Sequence, residues 1–432
     1  MNPRQRIALI SEHASPLARP GGVDSGGQNV YVAQLARHLA RLGRDVDVFT
    51  RRDAAGLPEI VPQGRGYRVI HVPAGPPSVV RKEDLLPCMD DFAAWVIRFS
   101  RRRPYDLTHA NFFMSALVSG AIKRALGTPF VVTFHALGRV RRLHQKGSDT
   151  FPEARLAIED QAVADADRII AECPQDGADL LDHYGADPAK LITVPCGFDP
   201  AEFWPIARSK ARSRLNLPAT GPTLLQLGRM VPRKGVDNVI RALARLGRDH
   251  AIRARLLVVG GDSTIPDPAI TPEIGRLQAL AEAEGVAGQV TFIGARGRDV
   301  LRYYYAAADI FVTTPWYEPF GITPVEAMAC GTPVVGANVG GIKATVVDGV
   351  TGFLVPPNDP TALAERLAEL LNNPDLLRAM GHQAQRRAVA GYTWAQVARS
   401  IAAIYDEVAP GWGVTEDTAI GTATAAGDWT VG

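Results

Sequence analysis

Cysteines are few in this chain of 432 residues: it has four, with no CxxC pair and no spacing typical of metal ligands. This pattern predicts reduced thiols in a cytoplasmic protein and gives no indication of a metal site. Long apolar runs are also lacking, since none approaches the roughly 20 residues of a membrane-spanning helix. The N-terminal run 7–10 is too short for a secretory signal and predicts a strand. Membrane contact is therefore expected to be peripheral at most.

Net charge and aromatic content are low as well. The formal net charge is +2, and aromatic residues make up 7% of the chain. So small a net charge does not indicate nucleic-acid binding. A hydrophobic content of 46% is ordinary for a globular protein. The length exceeds what one hydrophobic core usually supports, so two domains are expected.

Short apolar runs alternate with helical patterns, which predicts an α/β protein with parallel sheets. Strands are predicted at 6–11, 45–50, 67–72, 107–110, 130–134, 168–172, 192–194, 223–228, 255–260, 290–293, 310–313, 334–337 and 352–355. Helices are predicted at 28–42, 160–166, 236–246, 274–284, 300–307, 361–371 and 393–408.

The pattern is interrupted at 198–216 by prolines and mixed charge, which predicts a linker. Two Rossmann-like domains facing across a cleft follow from this, with ligands at the carboxyl ends of the strands. We place an N-terminal domain at 1–200, a second domain at 201–390, a last helix at 391–409 and a disordered tail at 410–432.

The stretch 318–331 carries the strongest functional signal. Its two carboxylates, Glu318 and Glu326, flank the predicted start of a short helix, with Thr323 as N-cap, Pro324 as first helical residue and Gly331 as stop. A helix N-terminus favours phosphate, whereas carboxylates there suit sugar hydroxyls. The stretch thus predicts a ligand that is part phosphate and part sugar. A capping box formed by Thr323 and Glu326 is a second interpretation of Glu326, but Glu318 lies outside the helix.

Two further loops follow predicted strands. The glycine-rich segment 21–29 opens a helix and suits close approach of an anion or a sugar; a surface turn is the alternative. The segment 228–235 would bring Arg229 and Lys234 to the cleft, where two fixed cations suit a leaving diphosphate. Arg233 is expected to be their solvated neighbour. By itself this segment could equally be a charged surface loop.

Histidines and acidic pairs give weaker signals. His135 follows the strand predicted at 130–134, at the functional edge of such a sheet, although a structural role is an equally good interpretation. His109, after the preceding strand, has a weaker case. The DxD-like sequences at 45–47 and 165–167 are interpreted as structural.

Two basic clusters remain. The cluster at 98–103 is predicted to be a solvated face. The cluster at 139–146 directly follows His135, and three interpretations stay open: it lines the cleft and receives an anionic acceptor, touches a membrane surface, or does neither.

Together these motifs resemble the retaining glycosyltransferases of family 4, which have the GT-B fold of two Rossmann-like domains. The resemblance covers residues 5–408 and is most specific at 318–331, followed by 340–341 and 348–355. It implies metal-independent, retaining transfer of a hexosyl group from a nucleoside-diphosphate sugar to a small hydroxylated acceptor, without a cofactor. In this family the last helix crosses back onto the first domain, as expected for 393–408.

The resemblance also implies roles for single residues. Glu318 would contact donor-sugar hydroxyls and stabilise charge at the anomeric centre, and Glu326 would hold the nucleotide ribose. Arg229 and Lys234 match the diphosphate-binding pair, and His135 would meet the donor sugar. The other expected donor-binding residues are Gly26, Gly27, Gly321, Ile322 and Thr323.

Finer resemblance points in two directions. Segments 24–28 and 315–324 are similar to sucrose and sucrose-phosphate synthases. Segments 29–32 and 82–87 are also similar to the inositol-phosphate glycosyltransferase of mycothiol synthesis.

In that second enzyme, cations at the positions of Lys82 and Arg155 hold the acceptor phosphate. Asn29, Lys82 and Arg155 are therefore the expected acceptor-binding residues. Phe112 stands where that enzyme has a tyrosine. The acceptor is expected to be a sugar or cyclitol, with or without a phosphate.

Other functional classes stay open at this point. A GT-B epimerase or phosphorylase is one, although no motif suggests the pyridoxal lysine that a phosphorylase of this fold needs. A non-catalytic sugar-nucleotide-binding protein is another, and it would need Glu326 but not Glu318. A lipid or polysaccharide is the alternative acceptor. The donor base and sugar are not specified, because one methylene or hydroxyl in a pocket decides them.

Overall fold

The computed structural model of the chain describes residues 4–18, 26–64, 66–145 and 149–410. Its strands form two sheets, one from each half of the chain. Residues 21–25 of the glycine-rich loop, Lys146 of the second basic cluster and residues 411–432 of the expected tail lie outside the described residues.

The first half builds an eight-stranded sheet. Its strands are β1 (Arg6–Ile10), β2 (Asp45–Arg51), β3 (Ile60–Gln63), β4 (Tyr67–Val72), β5 (Leu107–Asn111), β6 (Phe130–Thr133), β7 (Arg168–Ala171) and β8 (Leu191–Thr193). Its helices are α1 (Gly27–Arg41), α2 (Met89–Arg102), α3 (Phe113–Leu126), α4 (Gly138–Gln145), α5 (Ala154–Asp165) and α6 (Pro174–Tyr184). Residues 7–10 of β1 are 0% exposed, because helices cover both faces of the sheet.

The second half builds a six-stranded sheet. Its strands are β9 (Thr223–Leu227), β10 (Arg255–Val259), β11 (Val290–Gly294), β12 (Ile310–Thr313), β13 (Val334–Ala337) and β14 (Gly352–Val355). The helices are α7 (Arg208–Arg214), α8 (Val236–His250), α9 (Pro272–Ala283), α10 (Arg298–Ala307), α11 (Ile322–Ala329), α12 (Ile342–Thr345), α13 (Pro360–Leu371), α14 (Pro374–Gly391) and α15 (Trp394–Val408). None of the described helices is both long and apolar enough to cross a membrane.

Both sheets are doubly wound. The strand orders are β3-β4-β2-β1-β5-β6-β7-β8 and β11-β10-β9-β12-β13-β14. The winding direction reverses between β1 and β5 in the first sheet and between β9 and β12 in the second. Ligands of such sheets bind beyond the carboxyl ends of the strands at the reversal. This architecture confirms the predicted α/β fold of two Rossmann-like units.

All thirteen predicted strands are present, and no end is displaced by more than one residue. The prediction missed β3, which pairs antiparallel with β4 at the sheet edge, where the absent N–H of Pro62 is tolerated. The helix predicted at 160–166 begins earlier, at Ala154. The charged part of the predicted linker folds as the short helix α7.

The start of the helix in 318–331 was predicted wrongly. The N-cap of α11 is Gly321, with φ of 90°, so Thr323 lies inside the first turn and forms no capping box with Glu326. Pro324 is tolerated there because the first-turn N–H groups have no intrahelical partner. Gly331, with φ of 78°, follows the helix end as expected.

Two crossings of the chain between the halves are hydrogen-bonded to each other. The N–H of Phe198 donates to the carbonyl of Tyr392 at 2.8 Å, and the N–H of Trp394 donates to the carbonyl of Phe198 at 3.0 Å. After this point α15 packs on α1. His109 Nδ1 lies 2.6 Å from the Tyr405 hydroxyl, and burial lowers the pKa of His109 to about 3. His109 is therefore a neutral core residue.

Candidate functional site

The two reversal points face each other across one cleft. Gly27 and Phe112 come from the first sheet, Arg229 and Glu318 from the second, and all line a cavity of about 650 Å³. A Cβ atom on Gly27 would lie 3.6 Å from Cδ1 of Ile322, so the N-termini of α1 and α11 approach each other closely. The cleft therefore lies where the strand order of both sheets predicts a ligand site.

Glu318, beyond β12, lies among cations. Its carboxylate forms an ion pair with the Lys234 ammonium, and Arg233 Nη1 lies 3.8 Å from Oε2. Although burial opposes ionisation, Lys234 and then Arg233 hold the pKa of Glu318 below its ordinary value. The expectation that Arg233 is a solvated neighbour is wrong: its guanidinium points into the cleft and donates to the carbonyl of Tyr317 at 3.4 Å.

A glycine fixes the position of Lys234. The next residue, Gly235, has φ of 67°, and a Cβ atom there would lie 1.9 Å from the carbonyl oxygen of Thr314. Only glycine fits both this backbone conformation and this close approach. Burial lowers the pKa of Lys234 to about 8, against the opposing effect of the Glu318 carboxylate. Lys234, which was predicted to bind the diphosphate, thus forms an ion pair with Glu318, which was predicted to bind the donor sugar.

Arg229, beyond β9, lies against the N-terminus of α1. A Cβ atom on Gly26 would lie 3.6 Å from Arg229 Nε. The N–H of Gly26 donates to Asn29 Oδ1 at 2.9 Å, and Asn29 Nδ2 donates to the carbonyl of Ser15 at 2.9 Å. Asn29 lines the cleft, but both ends of its amide stabilise the local loop.

Glu326 is 1% exposed and projects from α11 toward α10. Its Oε2 accepts a hydrogen bond from the Tyr305 hydroxyl at 2.9 Å, and its Oε1 lies 2.9 Å from Arg298 Nη1. Burial raises the pKa of Glu326, and the Arg298 charge opposes that rise. It lines a smaller cavity of about 180 Å³ together with Thr323. Glu326 therefore contacts Tyr305 and Arg298 and does not cap the helix.

His135 follows β6, has a φ of 57° and lines the cleft. Its Nδ1 lies 3.0 Å from Glu172 Oε1 and its Nε2 lies 3.1 Å from Asn111 Oδ1. Although burial opposes it, His135 holds the pKa of Glu172 below its ordinary value. Tyr31 packs edge-on against the imidazole at 4.7 Å. His135 is thus held on three sides while it lines the cavity.

Arg155, expected to bind the acceptor, is 1% exposed and lines the cleft. Its Nε donates to Glu159 at 2.7 Å and its Nη2 donates to the carbonyl of Ala136 at 2.5 Å. The rings of Phe112 and Phe151 cover the guanidinium at 5.0 and 4.6 Å. Among the described residues, Nη1 has no hydrogen-bond partner.

Lys82 lies on the same side of the cleft, at the start of a short 3₁₀ turn. Its Nζ lies 3.5 Å from Glu83 Oε1. The second basic cluster contributes Arg141, which lines the cavity while donating to Asp149 at 2.7 Å. Arg139 of the same cluster turns away and pairs with Asp160.

The first basic cluster is partly a solvated face, as predicted: Arg98, Arg101 and Arg102 are exposed. Arg103 differs, because it forms ion pairs with Asp45 and Asp47. These contacts agree with the structural interpretation of the acidic pair on β2.

Sequence reasoning did not select several charged or titratable residues that line these cavities. Three of them are His13, whose Nδ1 lies 2.8 Å from Glu12 Oε1, Glu172 beside His135, and Arg298 beside Glu326. None belongs to a recognisable motif. For His13 and Glu172, the only available signal was their place just beyond β1 and β7, at the ligand-binding edge of the sheet.

Comparison with known proteins agrees with this geometry. Residues 25–202 match the family model described as Glycosyltransferase Family 4, and residues 207–387 match the one described as Glycosyl transferases group 1. A D-inositol 3-phosphate glycosyltransferase 2 from Catenulispora acidiphila is 39% identical over 93% of this chain and 94% of its own length. The chain belongs to glycosyltransferase family 4.

Further relatives of this family 4 glycosyltransferase cover nearly the whole chain. A D-inositol 3-phosphate glycosyltransferase from Actinosynnema mirum is 39% identical over 93% of this chain and 97% of its own length. The solved sucrose-phosphate synthase of Thermosynechococcus elongatus has 34% identity and a TM-score of 0.87, over 94% of this chain and 99% of its own. The protein is thus an enzyme of the glycosyltransferase class, with the GT-B fold.

A more distant structure supports the fold alone. The Anabaena protein HepE, solved in complex with UDP and glucose, is 21% identical with a TM-score of 0.74, over 94% of this chain and 100% of its own.

Proposed function

We propose that this enzyme transfers a sugar from a nucleoside-diphosphate sugar to a hydroxyl of a small phosphorylated sugar or cyclitol, with retention and without a metal. The observation that carries the proposal is the cleft itself. There, a partly buried carboxylate, Glu318, lies among fixed cations at the meeting point of both sheet reversals. Such a mixed site suits a ligand with both hydroxyls and a diphosphate.

On the donor side, Arg229, Lys234 and the N-terminus of α11 would stabilise the leaving diphosphate. Negative charge develops there as the glycosidic bond breaks, so fixed cations stabilise the transition state more than the ground state. These groups supply the positive charge that a metal ion provides in other transferases. The diphosphate would displace Glu318 from Lys234, which leaves that carboxylate to accept hydrogen bonds from the donor sugar.

The acceptor hydroxyl would attack on the face that the diphosphate leaves, which gives retention. The departing phosphate would accept the acceptor proton. His135 would contact the donor sugar between the two substrates. Closure of the cleft through the segment 198–205 would exclude water and limit donor hydrolysis.

On the acceptor side, Lys82 and Arg155 support a phosphorylated substrate. Arg155 is a buried guanidinium with one nitrogen, Nη1, whose N–H groups no described residue accepts. A phosphate oxygen of the acceptor would accept a hydrogen bond from Nη1, and this bond would be strong because both groups are charged. The relatives from Catenulispora acidiphila and Thermosynechococcus elongatus both carry a phosphate compound in their names, which supports the same substrate class. The four cysteines, none in a disulfide, support the cytoplasmic location that we include in the proposal.

The test is a two-step substrate panel. UDP-, ADP- and GDP-sugars are first screened for slow hydrolysis, and the active donor is then offered with inositol phosphates, hexose phosphates and their unphosphorylated forms. We expect transfer to a phosphorylated acceptor, undiminished by EDTA, with the donor's anomeric configuration kept in the NMR spectrum of the product. An inverted product, or transfer only to lipid or polysaccharide, would contradict the proposal.

A further inference from the structure

His135 contacts a carboxylate with one ring nitrogen and an amide with the other. Its Nδ1 lies 3.0 Å from Oε1 of Glu172, which comes directly after β7. Its Nε2 lies 3.1 Å from Oδ1 of Asn111, the last residue of β5. An ionised carboxylate only accepts hydrogen bonds, so the contact with Glu172 requires a proton on Nδ1.

The hydrogen bonds of Asn111 fix the orientation of its amide. Nδ2 donates to the carbonyl of Ile10 at 3.3 Å and to the carbonyl of His109 at 3.2 Å. A flipped amide would place its oxygen against these two carbonyl oxygens, so the contacts assign both amide atoms. Oδ1 therefore faces His135, and this contact requires a proton on Nε2 as well.

A ring with a proton on each nitrogen is an imidazolium cation. We propose that Glu172 is a positioning residue that keeps His135 in this charged form, so that Nε2–H serves as a charged donor at the wall of the cleft. Asn111 is a neutral partner, so Nε2–H can exchange it for a hydroxyl of the donor sugar while the pair with Glu172 stays intact. A charged donor forms a stronger hydrogen bond than a neutral one. The contact with the sugar rests on the proposed function.

His109, on the neighbouring strand, provides a comparison within the same protein. Its Nδ1 lies 2.6 Å from the Tyr405 hydroxyl and its Nε2 lies 2.9 Å from Oγ1 of Thr133. Hydroxyls donate as well as accept, so this ring needs only one proton. Burial and, after it, the charge of His135 lower the pKa of His109 to about 3. The partners thus give the two histidines different charges.

Other titratable groups surround the pair of His135 and Glu172. They are Tyr31 of α1, His109 of β5, Asp176 of α6, Cys196 after β8 and Glu318 beyond β12. Burial raises the pKa of Tyr31 and Cys196 well above their ordinary values and that of Asp176 to about 8, so these groups are mostly neutral at neutral pH. Glu318 is paired with Lys234. Glu172 is therefore the carboxylate that balances the charge of His135.

The direct test is ¹⁵N NMR of histidine-labelled protein at about pH 7.5, where an ordinary histidine side chain is mostly neutral. The signals of His135 are those lost in His135→Gln. In the wild type we expect two protonated nitrogens for His135 and one for His109. In Glu172→Gln, His135 should have mostly one, while His109 is unchanged. This measurement needs no substrate and is therefore independent of the proposed function.

The kinetic test compares kcat/KM for the donor, which reports the free enzyme, at about pH 6 and about pH 7.5. The ratio of wild type to Glu172→Gln should grow about five- to tenfold between these values, because the variant's imidazolium loses its proton over this range. Asp176→Asn is the matched control. It makes the same carboxyl-to-amide change at the residue whose Oδ2 accepts from the backbone N–H of Glu172 at 2.9 Å. Its ratio to the wild type should be nearly the same at both pH values.

A single protonated nitrogen on His135 in the wild type at about pH 7.5 overturns the inference, and this result can be obtained even if Glu172→Gln does not fold. A ratio of wild type to Glu172→Gln that does not change with pH also overturns it, since a merely structural role would give that result. If the NMR spectra agree with the expectation but no nucleotide sugar is a substrate, the proposed function fails while the charge of His135 is confirmed.

Discussion

The two sides of the cleft hold their charges in different ways. On the proposed donor side, charged groups that line the cleft pair with one another: Glu318 with Lys234 and Arg233. On the proposed acceptor side, carboxylates behind the cleft hold the cations: Glu159 holds Arg155 and Asp149 holds Arg141.

This difference predicts different behaviour on ligand binding. Donor-side pairs must exchange partners when a diphosphate arrives, so the donor site is expected to respond strongly to charge and pH. Acceptor-side pairs can stay intact, so that pocket is largely formed in advance. Donor-side substitutions should therefore affect catalysis with the fold intact, whereas those at Arg155 should affect the fold.

The largest effect is expected from Arg155→Met. It leaves Glu159, 0% exposed, without its ionic partner, and breaking a buried pair in this way destabilises proteins by about 3–5 kcal/mol. Urea unfolding measures the change in the free energy of unfolding. Arg139→Met is the control: its pair with Asp160 is partly exposed, so a loss of about 1 kcal/mol or less is expected. Equal losses in both variants would contradict a structural role for the buried pair of Arg155 and Glu159.

Glu318→Gln tests the donor side. We expect kcat for transfer to fall about 10²–10³-fold, as for the loss of one preorganised electrostatic group. The affinity for the nucleoside diphosphate should not fall, because the substitution releases Lys234 from its ion pair. Steady-state kinetics and calorimetry on the same preparation separate the two quantities. Transfer at the wild-type rate would show that Glu318 has no role in the reaction.

Lys82→Met tests whether the acceptor side recognises phosphate. A hydrogen bond to a charged group contributes about 1.5 kcal/mol or more, so KM for a phosphorylated acceptor should rise about tenfold. KM for the unphosphorylated counterpart and for the donor should stay constant. A similar rise for both acceptors would mean that Lys82 acts on the shape of the pocket.

The smallest effect concerns pH. Burial lowers the pKa of Lys234 to about 8, so its positive charge is present below that pH and is lost as the pH rises through it. The value of kcat/KM for the donor, which reports the free enzyme, should therefore decline above pH 8. In Lys234→Arg this decline should disappear, because a guanidinium stays charged. A decline that persists in Lys234→Arg must come from another group.

Much of the fold could be predicted because buried parallel strands have one physical requirement, an apolar run on both faces. Edge strand β3 was not predicted, because its residues are exposed or partly exposed and include Pro62, so it lacks a buried apolar run. The start of α11 was misplaced because Thr323 and Glu326 satisfy a local capping rule, while the structure places Glu326 beside Arg298, a residue distant in sequence. Local patterns do not show such pairings.

The absence of long-range pairings from local sequence patterns also explains which residues of the site could be predicted. The cleft unites the predicted residues Arg229, Lys234, Glu318 and His135, whose strand-end positions follow from topology. Their partners, such as Glu172, come from other strands and helices and have no motif. The role of Arg155 stays a prediction: its position suits the acceptor, but two of its three guanidinium nitrogens donate to groups of the fold.

The hydrogen-bonded crossings at Phe198 and Trp394 have a consequence for biosynthesis. Chains fold from the N-terminus as the ribosome releases them, yet α15, which covers α1 of the first half, emerges only after the whole second sheet. The nascent N-terminal half must therefore wait, with the apolar faces around Tyr31 and His109 uncovered, until residue 408 is made. Premature termination before α15 is expected to leave a polypeptide that chaperones bind and proteases remove.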